Sequence, residues 1–199
     1  MASPLILASG SRTRLALLAA AGLSVTAIAA AVDEDAVKSQ GRADGQDAAA
    51  VALILAEAKA KAVSKDYAEA LVIGADQMLA CHAQWFDKPA DRSQARQQLL
   101  ALAGQTHRLL TAVAVCRGGE TLWRHGAVAT LTMRSFTEAF IDDYLTRAGD
   151  AVMSSVGAYQ LEGLGIQLFD SIEGDHFTIL GLPLLPLLAF LRQAKVLMS

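Results

Sequence analysis

The sequence predicts an α/β or α+β domain built around a mixed sheet, and three observations carry that reading. Short, near-continuous apolar runs at 4–8 and 70–75 have the length and composition of buried strands. The 46–64 segment repeats apolar residues at helical spacing. Two alternating segments, 108–116 and 121–133, flank Gly118-Gly119 as an antiparallel pair. Helical and strand patterns mix without strict alternation, so the sheet is expected to be mixed.

The elements follow in order. Residues 4–8 read as a strand and 13–21 as a short helix ending at Gly22. Residues 24–30 read as a second strand, weakened by alanine. Asp33-Glu34-Asp35 reads as an acidic turn, and 36–45, polar with two glycines, as a loop or frayed helix. In the 46–64 helix, Val51, Ile54, Leu55, Ala58 and Ala62 fall on one face, with Lys59 and Lys61 flanking it. The 70–75 strand ends in Asp76, and 78–86 forms a hairpin that delivers Asp87-Lys88-Pro89. Residues 92–103 form a helix with Asp91 as N-cap and Gln94 in the capping-box position. An amphipathic helix covers 137–147, a glycine-rich irregular stretch 151–182, and a closing helix 184–197.

Composition bounds the function. The chain of 199 residues is 53% hydrophobic and 19% charged, enough for one domain with a full core. A net charge of −3 gives no general pull on nucleic acid or on an anionic membrane. Any phosphate ligand therefore needs a local basic cluster. Cys81 and Cys116 make no C-x-x-C pair, and the four histidines show no zinc spacing. The apolar run from Ile179 to Leu191 contains Pro183 and Pro186 and is too short to span a bilayer. Arg12 and Arg14 ahead of the apolar run Leu15 to Val32 suggest the layout of a secretory signal. The apolar residues before them and the breaks at Gly22 and Ser24 argue against it. A cytoplasmic protein is expected.

The opening segment, Leu7-Ala8-Ser9-Gly10-Ser11-Arg12-Thr13-Arg14, combines a strand, a small hydroxyl-rich turn, two arginines and a helix start. Helix N–H groups and an arginine fork suit an anion; the same pattern is also met in strand–turn–helix units with solvated arginines. Asp76 stands at the end of an apolar strand, a common place for chemistry in α/β proteins. Buried there, it needs a partner such as a metal or a lysine; otherwise it caps the following turn.

Several segments together resemble the Maf-type nucleotide pyrophosphatases. They are Leu7-Ala8-Ser9-Gly10-Ser11 with Arg14 and Leu17-Leu18, then Leu55-Ala56-Glu57-Ala58-Lys59-Ala60, then Val72-Ile73-Gly74-Ala75-Asp76. Lys88-Pro89 and Gly104-Gln105-Thr106-His107 with Thr111 follow. Gly157-Ala158-Tyr159 with Gly163, Ile172-Glu173-Gly174-Asp175 and Gly181-Leu182-Pro183 complete the series. The resemblance covers nearly the whole chain in the family's order.

It implies a single 1–199 α/β domain with a twisted mixed sheet, two lobes and a central cleft. It implies hydrolysis of a nucleoside triphosphate between the α and β phosphates, with Mg²⁺ or Mn²⁺, as house-cleaning of pyrimidine or modified nucleotides. The alternative is a non-catalytic nucleotide-binding regulator of cell division. Family dimers point to a homodimer. By the same resemblance Asp76 is the catalytic base and, with Glu34, a metal ligand. Ser9, Ser11, Arg14, Lys59, Lys88 and Glu162 are the substrate- and phosphate-binding positions, with Arg12 carried over weakly. The chain departs from the family in three places: Arg12-Thr13-Arg14 replaces a proline and an arginine pair, Gln77 replaces threonine, and Glu162-Gly163 replaces Gln-Gly. The last two departures bear on substrate choice more than on reaction type.

Overall fold

The computed structural model describes residues 3–198. Seven strands and seven α-helices alternate irregularly along them: β1 (Leu5–Leu7), α1 (Arg12–Ala20), β2 (Val25–Ala27), α2 (Glu34–Ala43), α3 (Ala48–Ser64), β3 (Leu71–Cys81), β4 (Gln84–Phe86), α4 (Arg92–Leu102), β5 (Thr106–Arg117), β6 (Glu120–Met133), α5 (Glu138–Ala148), β7 (Phe169–Glu173), α6 (His176–Ile179) and α7 (Leu184–Gln193). The strands form one mixed sheet in the order β2-β1-β3-β5-β6-β7, with β4 paired to β3. This is the α/β class that the sequence predicts. Among the described residues, no helix is long and apolar enough to cross a membrane.

The chain divides into two compact units. The first comprises Met1–Gln77, Leu110–Ala127 and Asp175–Ser199; the second comprises Met78–Leu109 and Val128–Gly174.

In the first unit β1 lies between β2 and β3, parallel to both, with Leu5 opposite Leu71 and Leu7 opposite Ile73. The two-residue period of a strand sends its side chains to both faces. Leu5, Leu7, Leu71 and Ile73 pack with Leu18 of α1 and Leu184, Leu187 and Leu191 of α7. Ile6, Ala8 and Val72 pack on the other face with Ala60 and Val63 of α3. With both faces covered, these strands read as continuous apolar runs.

The second unit holds the far end of β3 and its hairpin partner β4, with Leu79 opposite Phe86. Its helix α4 packs on α5, and Arg96 of α4 bonds Asp142 at 2.7 Å and Glu138 at 2.8 Å. Strand β7 runs antiparallel to β6, with Leu131 opposite Ile172. His107 is buried, its Nε2 2.8 Å from the Tyr159 hydroxyl, and Tyr159 meets Phe169 edge-on.

Five sequence expectations need correction. The acidic turn and the polar stretch after it are one helix, α2. The Asp33 carboxylate caps it by accepting from Ala36 N at 2.9 Å, and Glu34 and Asp35 fill its first turn, where they favour the helix dipole. The buried face of α3 runs through Val51, Ala52, Leu55, Ala56, Lys59, Ala60 and Val63, while Ile54 is exposed. In so alanine-rich a helix, large apolar residues do not mark the face, because alanine is what permits close approach. Strand β3 does not stop at Asp76 but runs on to Cys81. The glycine-rich stretch contains β7 and the short helix α6, each bounded by glycine or a capping aspartate. The closing helix ends at Gln193, and the next residues turn back with Lys195 at a positive φ of 57°.

Candidate active site

The first cluster grows from the turn after β1. The Ser11 hydroxyl caps α1, accepting from Arg14 N at 3.3 Å. The Ser9 hydroxyl accepts from Ser11 N at 3.2 Å and from Arg14 Nη1 at 3.3 Å. These bonds fix the hydroxyl-rich turn ahead of the helix, as small polar residues at such positions do. Arg14 also donates through Nε to Gly181 O at 2.7 Å and through Nη1 to Ala75 O at 2.9 Å. Burial lowers the basicity of its guanidinium from the ordinary value, and the charges of Asp76 and Glu34 oppose that shift. Arg12, on the outside of α1, is exposed.

The second cluster depends on how close α3 comes to β3. Gly74 makes the approach possible. A Cβ there would run into Ala56 O and lie 2.7 Å from Ala60 N. With the helix backbone seated on Gly74, Lys59 on the sheet-facing side reaches over the strand two residues further on. Its Nζ lies 2.6 Å from Asp76 Oδ1 and 2.7 Å from Glu34 Oε1. The Lys59 and Asp76 side chains are 11% and 8% exposed, and Glu34 is 43% exposed. The ammonium therefore bridges one buried and one solvent-facing carboxylate. Two carboxylates on one lysine keep three charges balanced to a net of one negative. An unpaired Asp76 at this depth would cost several kcal/mol, so the lysine is the partner its burial requires.

Gln77, beside Asp76, turns its amide the other way. Its Nε2 donates to Thr111 Oγ1 at 2.8 Å, Thr178 O at 3.0 Å and Ile179 O at 3.1 Å. The Thr111 hydroxyl in turn donates to Thr178 O at 2.9 Å. Asp175 caps α6 by accepting from Thr178 N at 2.8 Å and the Thr178 hydroxyl at 3.0 Å.

The structure thus joins Ser9, Ser11 and Arg14 in one hydrogen-bonded group, and Glu34, Lys59 and Asp76 in another, both within the first unit. Lys88 and Glu162 belong to the second unit. Lys88 is exposed just after β4, next to Asp87, whose carbonyl accepts from Gln98 Nε2 at 2.9 Å. Glu162 is exposed in the turn that leads to Gly163. Glu57, part of the central helix block, is a tie from α3 to β6: it pairs with Lys61 at 2.7 Å and accepts from the Thr121 hydroxyl at 2.8 Å. Sequence reasoning left Gln77 without a role and missed the acceptor carbonyls of Thr178, Ile179 and Gly181. Backbone acceptors carry no side-chain signature, and only the blocks at its two ends, Ile172-Glu173-Gly174-Asp175 and Gly181-Leu182-Pro183, pointed to this segment.

Chemically, the Glu34–Lys59–Asp76 group offers carboxylate oxygens and one cation at a single place. Among the described residues there is no group of three or more His, Cys, Asp or Glu side chains that could hold a metal by themselves. Two carboxylates fit a magnesium-like ion, which usually takes one or two carboxylates and completes its shell with water and substrate phosphates. They do not fit a zinc or calcium cage.

Comparison with known proteins identifies the family. The family model described as Maf-like protein matches residues 4–194. A nucleoside triphosphate pyrophosphatase of Paramagnetospirillum magneticum is 60% identical over 188 residues, covering 94% of this chain and 97% of that protein. A protein of the same description from Granulibacter bethesdensis is 51% identical, covering 97% and 98%. A 7-methyl-GTP pyrophosphatase of Rhizobium meliloti is 50% identical over 189 residues, covering 95% of each chain. With the family model spanning almost the whole chain and relatives this similar end to end, the chain belongs to the Maf family.

Proposed function

We propose that this protein hydrolyses a nucleoside triphosphate to the monophosphate and pyrophosphate, acting on pyrimidine or modified nucleotides as a house-cleaning enzyme. The observation that carries the reading is the buried Asp76 carboxylate held by Lys59 at 2.6 Å beside Glu34, in a chain whose relatives are named as pyrophosphatases of nucleoside triphosphates. The whole 1–199 chain acts as one domain in this proposal, and it works in the cytoplasm as a homodimer.

Asp76 orients the attacking water and accepts its proton. The water oxygen forms a bond to the α phosphorus, and the bond from that phosphorus to the α–β bridging oxygen breaks. Pyrophosphate leaves with the electron pair, and Asp76 returns the proton to solvent. A triphosphate carries about four negative charges, so cations must stand beside it. Lys59 and Lys88 supply charge near the phosphates, and Arg14 adds a third positive group. Ser9, Ser11 and the start of α1 offer hydroxyl and N–H donors. Glu162 contributes to substrate binding from its loop. Glu34 and Asp76 are the residues that would hold Mg²⁺ or Mn²⁺, which when bound neutralises charge on the phosphate oxygens. The test is pyrophosphate release from a panel of ordinary and methylated nucleoside triphosphates, with Asp76→Asn as the control.

A further inference from the structure

Both residues that flank Asp76 are fastened to one short segment, Asp175–Gly181. Upstream, the Ala75 carbonyl accepts from Arg14 Nη1, and the same guanidinium donates through Nε to Gly181 O. Downstream, the Gln77 amide donates to Thr178 O and Ile179 O. Thr111, 1% exposed, ties the same Thr178 carbonyl from β5. Asp175 sets the segment by capping α6 through both the amide and the hydroxyl of Thr178. Gly181 takes a φ of +92°, and a Cβ there would lie 3.3 Å from Arg14 Nε, so glycine suits this contact on two counts.

Three of the five guanidinium N–H groups of Arg14 go to Gly181 O, Ala75 O and Ser9 Oγ. That is the bonding pattern of a residue that holds backbone. A phosphate fork uses Nε with Nη2 or Nη1 with Nη2, so with Nε on Gly181 O at 2.7 Å and Nη1 on Ala75 O and Ser9 Oγ, either fork would have to displace an acceptor already bonded.

We infer that Arg14 and Gln77 are positioning residues, which clamp the backbone on either side of Asp76 to the Asp175–Gly181 segment and so fix where the Asp76 carboxylate points. The inference deepens the proposed function and rests on Asp76 being its catalytic group. Arg14 still adds positive charge to the site, but its hydrogen bonds act through Asp76. Lysine at position 14 keeps the charge and loses the fork, because one ammonium cannot bridge the same acceptors with the same planarity. A misplacement of a reacting group by about 1 Å costs on the order of 100-fold in rate.

The experiment compares wild type with Arg14→Lys and Gln77→Met in three readouts. These are kcat and KM for the best substrate with Mg²⁺, the Kd of its non-hydrolysable α,β-methylene analogue, and amide hydrogen exchange across residues 177–182. The expected result is a kcat reduced about 100-fold in Arg14→Lys and clearly reduced in Gln77→Met. KM and analogue Kd stay close to wild type, and exchange in the segment is faster. A Kd raised in step with the loss of kcat/KM while kcat is kept assigns Arg14 to phosphate binding and overturns the inference. Unchanged exchange in both variants also overturns it. If Arg14→Lys does not fold, Gln77→Met carries the same test. A wild-type protein that turns over no triphosphate refutes the proposed function instead, and the exchange comparison then decides the clamp by itself.

Discussion

His107 makes the stability of this protein depend on pH in a way that can be worked from its surroundings. The side chain is 1% exposed, its Nε2 is bonded to Tyr159 and its Nδ1 has no hydrogen-bond partner among the described residues. Burial pushes its pKa down from 6.5 to about 4, because a charged imidazolium there would lose its hydration. The folded value lies below the unfolded one, so the unfolded chain binds the proton more tightly. The contribution is fully present above pH 6.5 and is lost as the pH falls from there toward 4. The gap corresponds to roughly 3 kcal/mol, most of it lost by pH 4.5. The perturbation is His107→Gln, which does not titrate and keeps a hydrogen-bonding group for Tyr159. Urea unfolding followed by the fluorescence of Trp85, which lies in the same unit, gives the stability at pH 7 and pH 4.5. Wild type is expected to lose about 2 kcal/mol more than the variant over that interval. Equal losses in the two proteins would refute the claim that His107 is buried in its neutral form.

Three further outcomes follow from the first unit. Lys59→Met leaves Asp76 buried without its partner and is expected to lower stability by about 3 kcal/mol in urea unfolding; adding Asp76→Asn should restore part of it, and no recovery would show that the ion pair is not the cause. Gly74→Ala is expected to destabilise by about 3 kcal/mol, because its methyl meets backbone of α3 and not a flexible side chain. The same substitution should lower kcat, since it moves the helix that carries Lys59; a Gly74→Ala protein of wild-type stability and rate would contradict the close approach. Leu18→Ala, at a fully buried position of α1, should cost about 3 kcal/mol in the same assay, and a loss under 1 kcal/mol would mean that the site refills.

The sheet was legible because its strands obey simple rules. Leu5, Leu7, Leu71 and Ile73 are buried on one face and Ile6 and Val72 on the other, and a strand covered on both sides appears as an unbroken apolar run. Gly118-Gly119 marked the β5–β6 turn, and Asp91 marked the start of α4, where its carboxylate accepts from Gln94 N at 2.8 Å. Helix α2 was half legible: its glycine and polar residues left a loop and a frayed helix both open, and the Asp33 cap decides for the helix. The buried side of α3 was misplaced because Ala52, Ala56 and Ala60 carry the contact and Ile54 does not. Strand β7 has Asp170 and Ser171 exposed, and among the described residues it lies at the sheet edge beside β6, with Phe169, Ser171, Ile172 and Glu173 in register. So short an edge strand gives little periodicity.

At the candidate site, residue types were readable and pairings were not. Asp76 at the end of an apolar run called for a counter-charge, and both a metal and a lysine satisfied that demand. Neither spacing nor composition chose Lys59 over Lys61, which is 41% exposed and pairs with Glu57. The choice follows from Gly74, whose missing side chain sets the height of α3 above β3. Arg14 was expected as a phosphate group, and its bonds to two backbone carbonyls could not be foreseen from a motif.

The role of Asp76 in triphosphate hydrolysis is tested by pyrophosphate release from ordinary and methylated nucleoside triphosphates with Mg²⁺ or Mn²⁺, wild type beside Asp76→Asn. Wild type is expected to release pyrophosphate and nucleoside monophosphate in a metal-dependent way, with kcat lowered at least about 100-fold in the variant, in the range lost with a general base. Tight triphosphate binding by a folded wild-type protein with no pyrophosphate released, or equal turnover by the Asp76→Asn protein, would contradict it.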